Sequence, residues 1–246
     1  MPTGGDSSPE RPVVRRLNSL RRLSEEGTAA IKAALRERIM KAEAGADLAC
    51  EGDRPETVRL FLSGWACRYK SLEDGRRQIV NFVLPGDSCD AYMYLFSSMD
   101  HSIGALTSVI YTELERAAFE KLVGADITVA EAFYCETLAA ASIQREWAIN
   151  LGRRDALERV AHLICELFVR LDMVGLVEGN SFALPVTQMD LADAAGLSTV
   201  HLNRTLQELR ASGLITLKER HLSIHDMRAL SHLAMFNPNY LHVDRK

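Results

Sequence analysis

The sequence predicts an α+β fold in three successive parts: a small N-terminal β-roll, one long helix, and a C-terminal pair of short helices with a β-hairpin. Three observations predict it. Between Lys41 and Glu120, short apolar segments are separated by turns rich in Gly, Pro and Asp. Between Asp126 and Leu151 there is no Pro or Gly. From Thr187 to Ile224, two capped helical stretches flank Gly196 and lead into two short strands. The 246 residues suffice for two domains or one large one, and 47% hydrophobic content suffices for a core.

Composition narrows the class. No run of about 18 apolar residues and no cleavable leader pattern occurs, so no membrane role and a cytoplasmic location are expected. The net charge is −4 and the pI near 6.0. The part from Gly152 onward balances 11 Lys+Arg against 11 Asp+Glu, so the first 151 residues carry the whole excess. A small basic face on an acidic chain suits specific rather than indiscriminate DNA binding. Cys50, Cys67, Cys89, Cys135 and Cys165 are scattered without a Cys-x-x-Cys pair, so spacing gives neither a zinc ribbon nor an iron–sulfur ligand set. Most of them read as small buried apolar residues.

Residues 1–14, rich in Gly, Ser, Pro and charge, are expected to be a disordered tail. Residues 15–125 then form the sensor part. Leu17, Leu20 and Leu23 share one helix face, and Ser24-Glu-Glu opens a second helix expected to run to about Met40. Strands are expected at Asp47–Cys50, Val58–Leu62, Trp65–Tyr69, Arg77–Leu84 and Ser108–Thr112. Glu51-Gly-Asp53, Ser63-Gly64, Glu73-Asp-Gly75 and Leu84-Pro-Gly-Asp87 turn the chain between them. Short strands at this spacing suggest a jelly-roll-like double sheet.

Residues 126–151 are expected to form one helix, roughly 38 Å long for about 25 residues. Its seam, at a spacing near 3.5, holds Ala130, Phe133, Thr137, Ala140 or Ala141, Gln144, Trp147 or Ala148, and Leu151. A helix longer than one small roll requires wants a partner, and the simplest source is a second copy of the chain. Gly152 is expected to break the helix and act as a hinge before residues 152–246, where Asp155 opens another amphipathic helix.

In Thr187-Gln-Met-Asp190 a hydroxyl stands at the N-cap with a carboxylate three residues on, a near match to the capping box. Gly196 supplies the sharp turn, and Ser198 caps a second helix with the stripe Val200 or Leu202, Leu206, Leu209. That helix ends at Ser212-Gly213, and Leu214–Leu217 and Leu222–Ile224 form a wing around a charged turn. Burying the stripe leaves Thr199, His201, Asn203, Arg204 and Gln207 outward, all groups that can bond base edges or phosphates, with Lys218 and Arg220 beside them on the wing. This is a winged helix-turn-helix suited to double-stranded DNA.

The order of parts resembles the CRP/FNR family of bacterial transcription regulators from about Leu17 to Ala229. Gly45-x-Asp47, Leu60-Phe-Leu-Ser-Gly64, Asp74-Gly-Arg76 and Leu84-Pro-Gly-Asp87 match its cyclic-nucleotide-binding-type roll. Thr187-Gln, Leu191-Ala-Asp193, Gly196-Leu-Ser198, Asn203-Arg204 and Gly213-Leu-Ile215 match its DNA-binding motif. The resemblance implies a homodimer that works with RNA polymerase and is no enzyme. It makes Ser198 and Thr199 contacts to phosphate or the helix start, counts Thr187 and Gln188 among the DNA-binding residues, and turns Val200, His201, Asn203 and Arg204 toward bases. Val200 stands where many members have Glu, so the usual acceptor for a cytosine amine is missing.

The matching effector stretch is Asp87, Ser88, Cys89 and Asp90 through His101 and Ser102. It lacks the family's phosphate-binding Arg and sits near Asp90 and Asp100, which argues against cyclic AMP and leaves any small-molecule effector unidentified. The N-terminal cysteine cluster of the iron–sulfur members is absent, and a lone His101 in a loop argues against haem, so no cofactor is expected. Two other functions fit the residues less well. A cupin-like metalloenzyme needs converging His residues, yet the first 150 residues hold only His101. A sensor acting through protein partners would leave Arg204 without a role in DNA affinity.

Overall fold

Where the strands stop is decided by turns that only certain residues can make. In the computed structural model, which describes residues 9–243, eight strands build the roll: β1 (Ile39–Ala42), β2 (Asp47–Ala49), β3 (Thr57–Ser63), β4 (Ala66–Ser71), β5 (Arg77–Val83), β6 (Ser88–Cys89), β7 (Ser102–Ala105) and β8 (Val109–Glu115). They form two antiparallel four-stranded sheets, ordered β1-β8-β3-β6 and β2-β7-β4-β5. Side chains from both, among them Phe61, Val83, Ile103 and Tyr111, share one core. Gly64 makes the β3–β4 turn at φ +80°, where an added Cβ would lie 2.2 Å from the Ser108 carbonyl oxygen. The α+β class and the double-sheet roll are as the sequence predicts.

Three boundaries move. The helix α1 (Arg11–Leu20) begins inside the stretch expected to be a disordered tail: Pro12 fits its first turn, and Val13 is fully buried. Residues 1–8 of that stretch lie outside the described residues. The helix α2 (Glu25–Ala34) stops before Met40, because Ile39 to Ala42 pair with Thr112 to Val109 on β8. A sheet ladder outweighs the continued apolar periodicity there. Gly152 does not break the long helix. After α3 (Arg116–Ala125), α4 (Ile127–Arg153) passes through it, and the chain turns extended only at Arg154 (φ −80°, ψ 145°). One exposed Gly in a formed helix costs only about 1 kcal/mol. What ends α4 is the next cap, Asp155, in a capping box with Glu158 at the start of α5 (Ala156–Val174).

The reading head comprises α6 (Gln188–Ala195), α7 (Thr199–Ala211) and α8 (Met227–Leu233). Its sheet is ordered β11 (Ile215–Lys218), β12 (His221–Ile224), β10 (Ser181–Ala183) and β9 (Val177–Glu178). Helix α5 lies between roll and head. One apolar cluster runs from Trp65 and Phe82 of the roll through Trp147 of α4 and Ile164 of α5 to Leu202 and Leu206 of α7. From α5, Arg170 donates to the Phe82 carbonyl (2.7 Å), Asn81 Oδ1 (3.1 Å) and Asp87 (2.7 Å) of the roll.

Candidate nucleic-acid interface and effector cavity

The two helix caps read from sequence form, the first as a capping box. Thr187 Oγ1 accepts from the Asp190 amide (3.1 Å), and Asp190 accepts from the Thr187 amide (2.9 Å). Gly196 sits at φ 61°, ψ 39°, the left-handed conformation that lets α6 turn into α7. Ser198 Oγ accepts from the His201 amide at 3.2 Å. Leu202, Leu206 and Leu209 are buried, so the α7 stripe runs through Leu202, while Val200 is 71% exposed. Thr187, Gln188, Ser198, Thr199, His201 and Arg204 are exposed with it, and Asn203 is half-buried. On the wing, Glu219 (φ 52°) and Arg220 (φ 61°) make a two-residue turn with both residues left-handed, and Lys218 and Arg220 stand in solvent.

The head is docked on the roll by side chains that the sequence reading did not single out. Arg77 of β5 donates from Nη2 to Asp190 Oδ1 (2.6 Å) and from Nε to Asp193 Oδ2 (2.8 Å). Gln78 Nε2 donates to the Asp193 carbonyl at 2.6 Å. Asp190 therefore joins the roll to Thr187, one of the residues matched to a DNA contact. The only sequence signal was a pair of carboxylates three residues apart on a short helix.

A cavity of about 520 Å³ opens between the roll and α4, lined among others by Arg68, Lys70, Ser88, Asp90, His101, Glu136 and Gln144. Of the expected effector residues, Ser88, Asp90 and His101 reach it; Asp87, Cys89 and Ser102 do not. Asp87 is drawn away by Arg170 and by Arg16 (3.6 Å). Cys89 is packed inside the roll, where burial pushes its thiol pKa up. Ser102 Oγ accepts from the Glu51 amide at 2.9 Å.

The stretch 87–102 has no Arg, but β4 supplies two cations, Arg68 and Lys70, two residues apart and so on the same face. The stretch lacks an Arg as read, and the cavity takes its guanidinium from β4 instead. Both cations are already engaged: Arg68 with Asp90 (3.2 Å), Lys70 with Glu51 (2.7 Å) and the Asp100 carbonyl (2.6 Å). Burial works against the Asp90 carboxylate, yet Arg68 and then His101 outweigh it and hold its pKa at about 2. Burial raises the pKa of Glu136, which accepts from the Ser88 amide (2.8 Å) and hydroxyl (2.6 Å).

On α4 the outward stripe differs from the expected seam by one position. Phe133 and Trp147 are buried in the chain's own core: Phe133 lies edge-on to Phe119 at 5.0 Å, and Trp147 Nε1 donates to Glu166. Two adjacent registers satisfy a 3.5-residue repeat, and the aromatic rings take the one facing the core. Tyr134 (58% exposed), Leu138 (66%), Ala141, Arg145, Ala148 and Gly152 form the outward row, alternately four and three residues apart. Thr137 and Gln144 flank it in the open, while Ala130, Ala140 and Leu151 are half-buried.

Residues 39–126 match the cyclic nucleotide-binding domain family, and residues 158–233 match the Crp-like helix-turn-helix domain. A roll of this kind joined through a long helix to such a head defines a bacterial DNA-binding transcription regulator. The chain is 29% identical over 192 residues to the transcriptional activator protein FnrL of Cereibacter sphaeroides, covering 76% of this chain and 77% of that one. It is 30% identical over 182 residues to the nitrogen fixation regulation protein FixK of Azorhizobium caulinodans, covering 72% and 71%. The structure of FixK2 from Bradyrhizobium japonicum superposes with a TM-score of 0.72 at 27% identity, covering 79% of this chain and 96% of that one. The chain belongs to the CRP/FNR family. Among the described residues, no helix is long and apolar enough to cross a membrane, and no group of three or more His, Cys, Asp or Glu is placed to hold a metal ion.

Proposed function

We propose that the chain is a homodimeric transcription regulator acting in the cytoplasm. It reads a two-fold-symmetric site with half-sites about 34 Å apart and works with RNA polymerase. The observation that carries this is the pairing of an outward, mostly apolar row on α4 with an exposed polar face on α7. Arg204 is the guanine reader, since its fork bonds O6 and N7 together, and Val200 packs on a thymine methyl. Thr187, Gln188, Ser198, Lys218 and Arg220 fix register on the phosphates.

The signal enters at the cavity between roll and α4. Cyclic AMP is a poor fit, because Arg68 is committed to Asp90, and Glu136 and Asp100 add further acid to the lining. Selecting bound fragments from random duplex DNA, with and without cell extract, gives the site and any dependence on a small molecule. On that site Arg204→Ala loses about 1–3 kcal/mol of affinity. An unchanged affinity would refute base readout and favour a sensor acting through proteins.

A further inference from the structure

The chain continues past the Crp-like match, which ends at residue 233, and its next ten residues fold back across the elbow between α4 and α5. Ala234 and Leu241 are fully buried there. Arg154, the C-cap of α4, donates from Nε to the Ala234 carbonyl (3.1 Å) and from Nη2 to the Met235 carbonyl (3.4 Å). Phe236 and Tyr240 pack against His162 of α5, with ring centroids at 5.2 and 5.9 Å. The Tyr240 hydroxyl donates to Glu166 of α5 at 2.9 Å, and Glu166 also receives Trp147 of α4. At the far end, His242 Nε2 lies 3.1 Å from Ser142 Oγ on α4. One short segment therefore holds α4, the linker and α5 at once.

We propose that residues 234–243 are a strap that fixes the angle between α4 and the reading head, and so sets how the two heads of a dimer are presented to DNA. This rests on the dimeric reading above. Two linked heads bind as a bivalent ligand: once one is seated, the affinity of the second depends on how narrowly the linkage confines it to its own half-site. The strap acts at that step. It touches none of the residues assigned to bases or phosphates, so binding of one head to one half-site is independent of it.

The test compares the intact chain with one ending at Leu233, and with the double variant Tyr240→Phe, His242→Ala, which cuts the segment's side-chain hydrogen bonds to Glu166 and Ser142 and keeps the Arg154 contacts and most of the packing. Each is titrated with the selected two-half-site duplex and with a single half-site duplex. The expected result is a loss of about tenfold on the full site for the variants, with half-site affinity unchanged. Equal full-site affinity in a folded variant, or an equal loss on both duplexes, overturns the strap. The double variant decides the matter if the shortened chain does not fold. Should the intact chain bind no duplex, the dimeric DNA reading fails instead, and hydrogen exchange across residues 153–157 still judges the strap: faster exchange in the variants supports it, and unchanged exchange overturns it.

Discussion

Replacing Arg77 by alanine should loosen the head from the roll. The Arg77 side chain is 27% exposed, and its guanidinium faces Asp190 (8%) at 2.6 Å and Asp193 (22%) at 2.8 Å. A hydrogen bond to a charged group contributes about 1.5–3 kcal/mol. Breaking one side of a fully buried pair costs about 3–5 kcal/mol, and an exposed pair is worth about 0–1 kcal/mol. This cluster lies between those limits, and Asp190 keeps the Thr187 amide and hydroxyl as partners, so it is not left bare. The loss is therefore ~2 kcal/mol, which for a chain of this size lowers Tm by about 4–8 °C. Thermal unfolding followed by circular dichroism measures it. A double-mutant cycle with Asp193→Ala isolates the contact and should return a coupling of about 1 kcal/mol. A Tm shift under about 1 °C, or strict additivity in the cycle, would refute the docking argument.

Leu138→Glu places a charge in the middle of the outward row on α4 and should yield monomers by analytical ultracentrifugation with little loss of secondary structure; an unchanged dimer removes α4 from the interface. Gly64→Ala must push a methyl group against the Ser108 carbonyl at positive φ, costing about 1–3 kcal/mol, and an unaltered urea midpoint would contradict the turn geometry. Burial, with Arg154 adding to it, lowers the His162 pKa from 6.5 to about 3. Glu146 Oε1 stands 3.2 Å from its Nε2 but is not aligned for a hydrogen bond, and it is already held by Arg154. The unfolded chain thus takes the proton first, so stability present above pH 6.5 is lost as the pH falls toward 3. The raised pKa values of the buried Glu136 and Glu166 act in the opposite sense, so native and His162→Phe chains are compared across that window. The variant should lose stability less steeply, and parallel curves would count against a neutral buried imidazole.

What the sequence discloses here is mostly local. Thr187, Asp190, Gly196 and Ser198 announce their helix ends because a cap and a left-handed turn are satisfied within four residues, and the structure builds them as read. Ambiguity begins where a partner is distant in the chain. Nothing near Phe133 or Trp147 says which side of α4 the core will occupy; Phe119 and Glu166 decide it. Ile39 fits a helix face until Thr112 offers it a ladder. Arg68 is unremarkable on β4 until Asp90, 22 residues later, is folded against it. Short strands such as Ser102–Ala105, with a Gly in the middle, carry too little apolar alternation to be seen before their neighbours are known.

The apolar cluster that runs from Trp65 and Phe82 through α4 and α5 into α7 bears on how modular this regulator is. A cut at residue 152 would divide a shared interior. Expressed alone, the C-terminal part would present to water the faces of Ile164 and Trp147's partner Glu166, and Arg170 would lose the Phe82 carbonyl, the Asn81 side-chain oxygen and the Asp87 carboxylate that it holds in the roll. A chimera that exchanges recognition surfaces between relatives should therefore keep α5 and residues 234–243 with the recipient and graft only the span of α6, α7 and the wing. Within that span, Arg77 still demands acidic partners at 190 and 193, so the donor's α6 determines whether the graft seats.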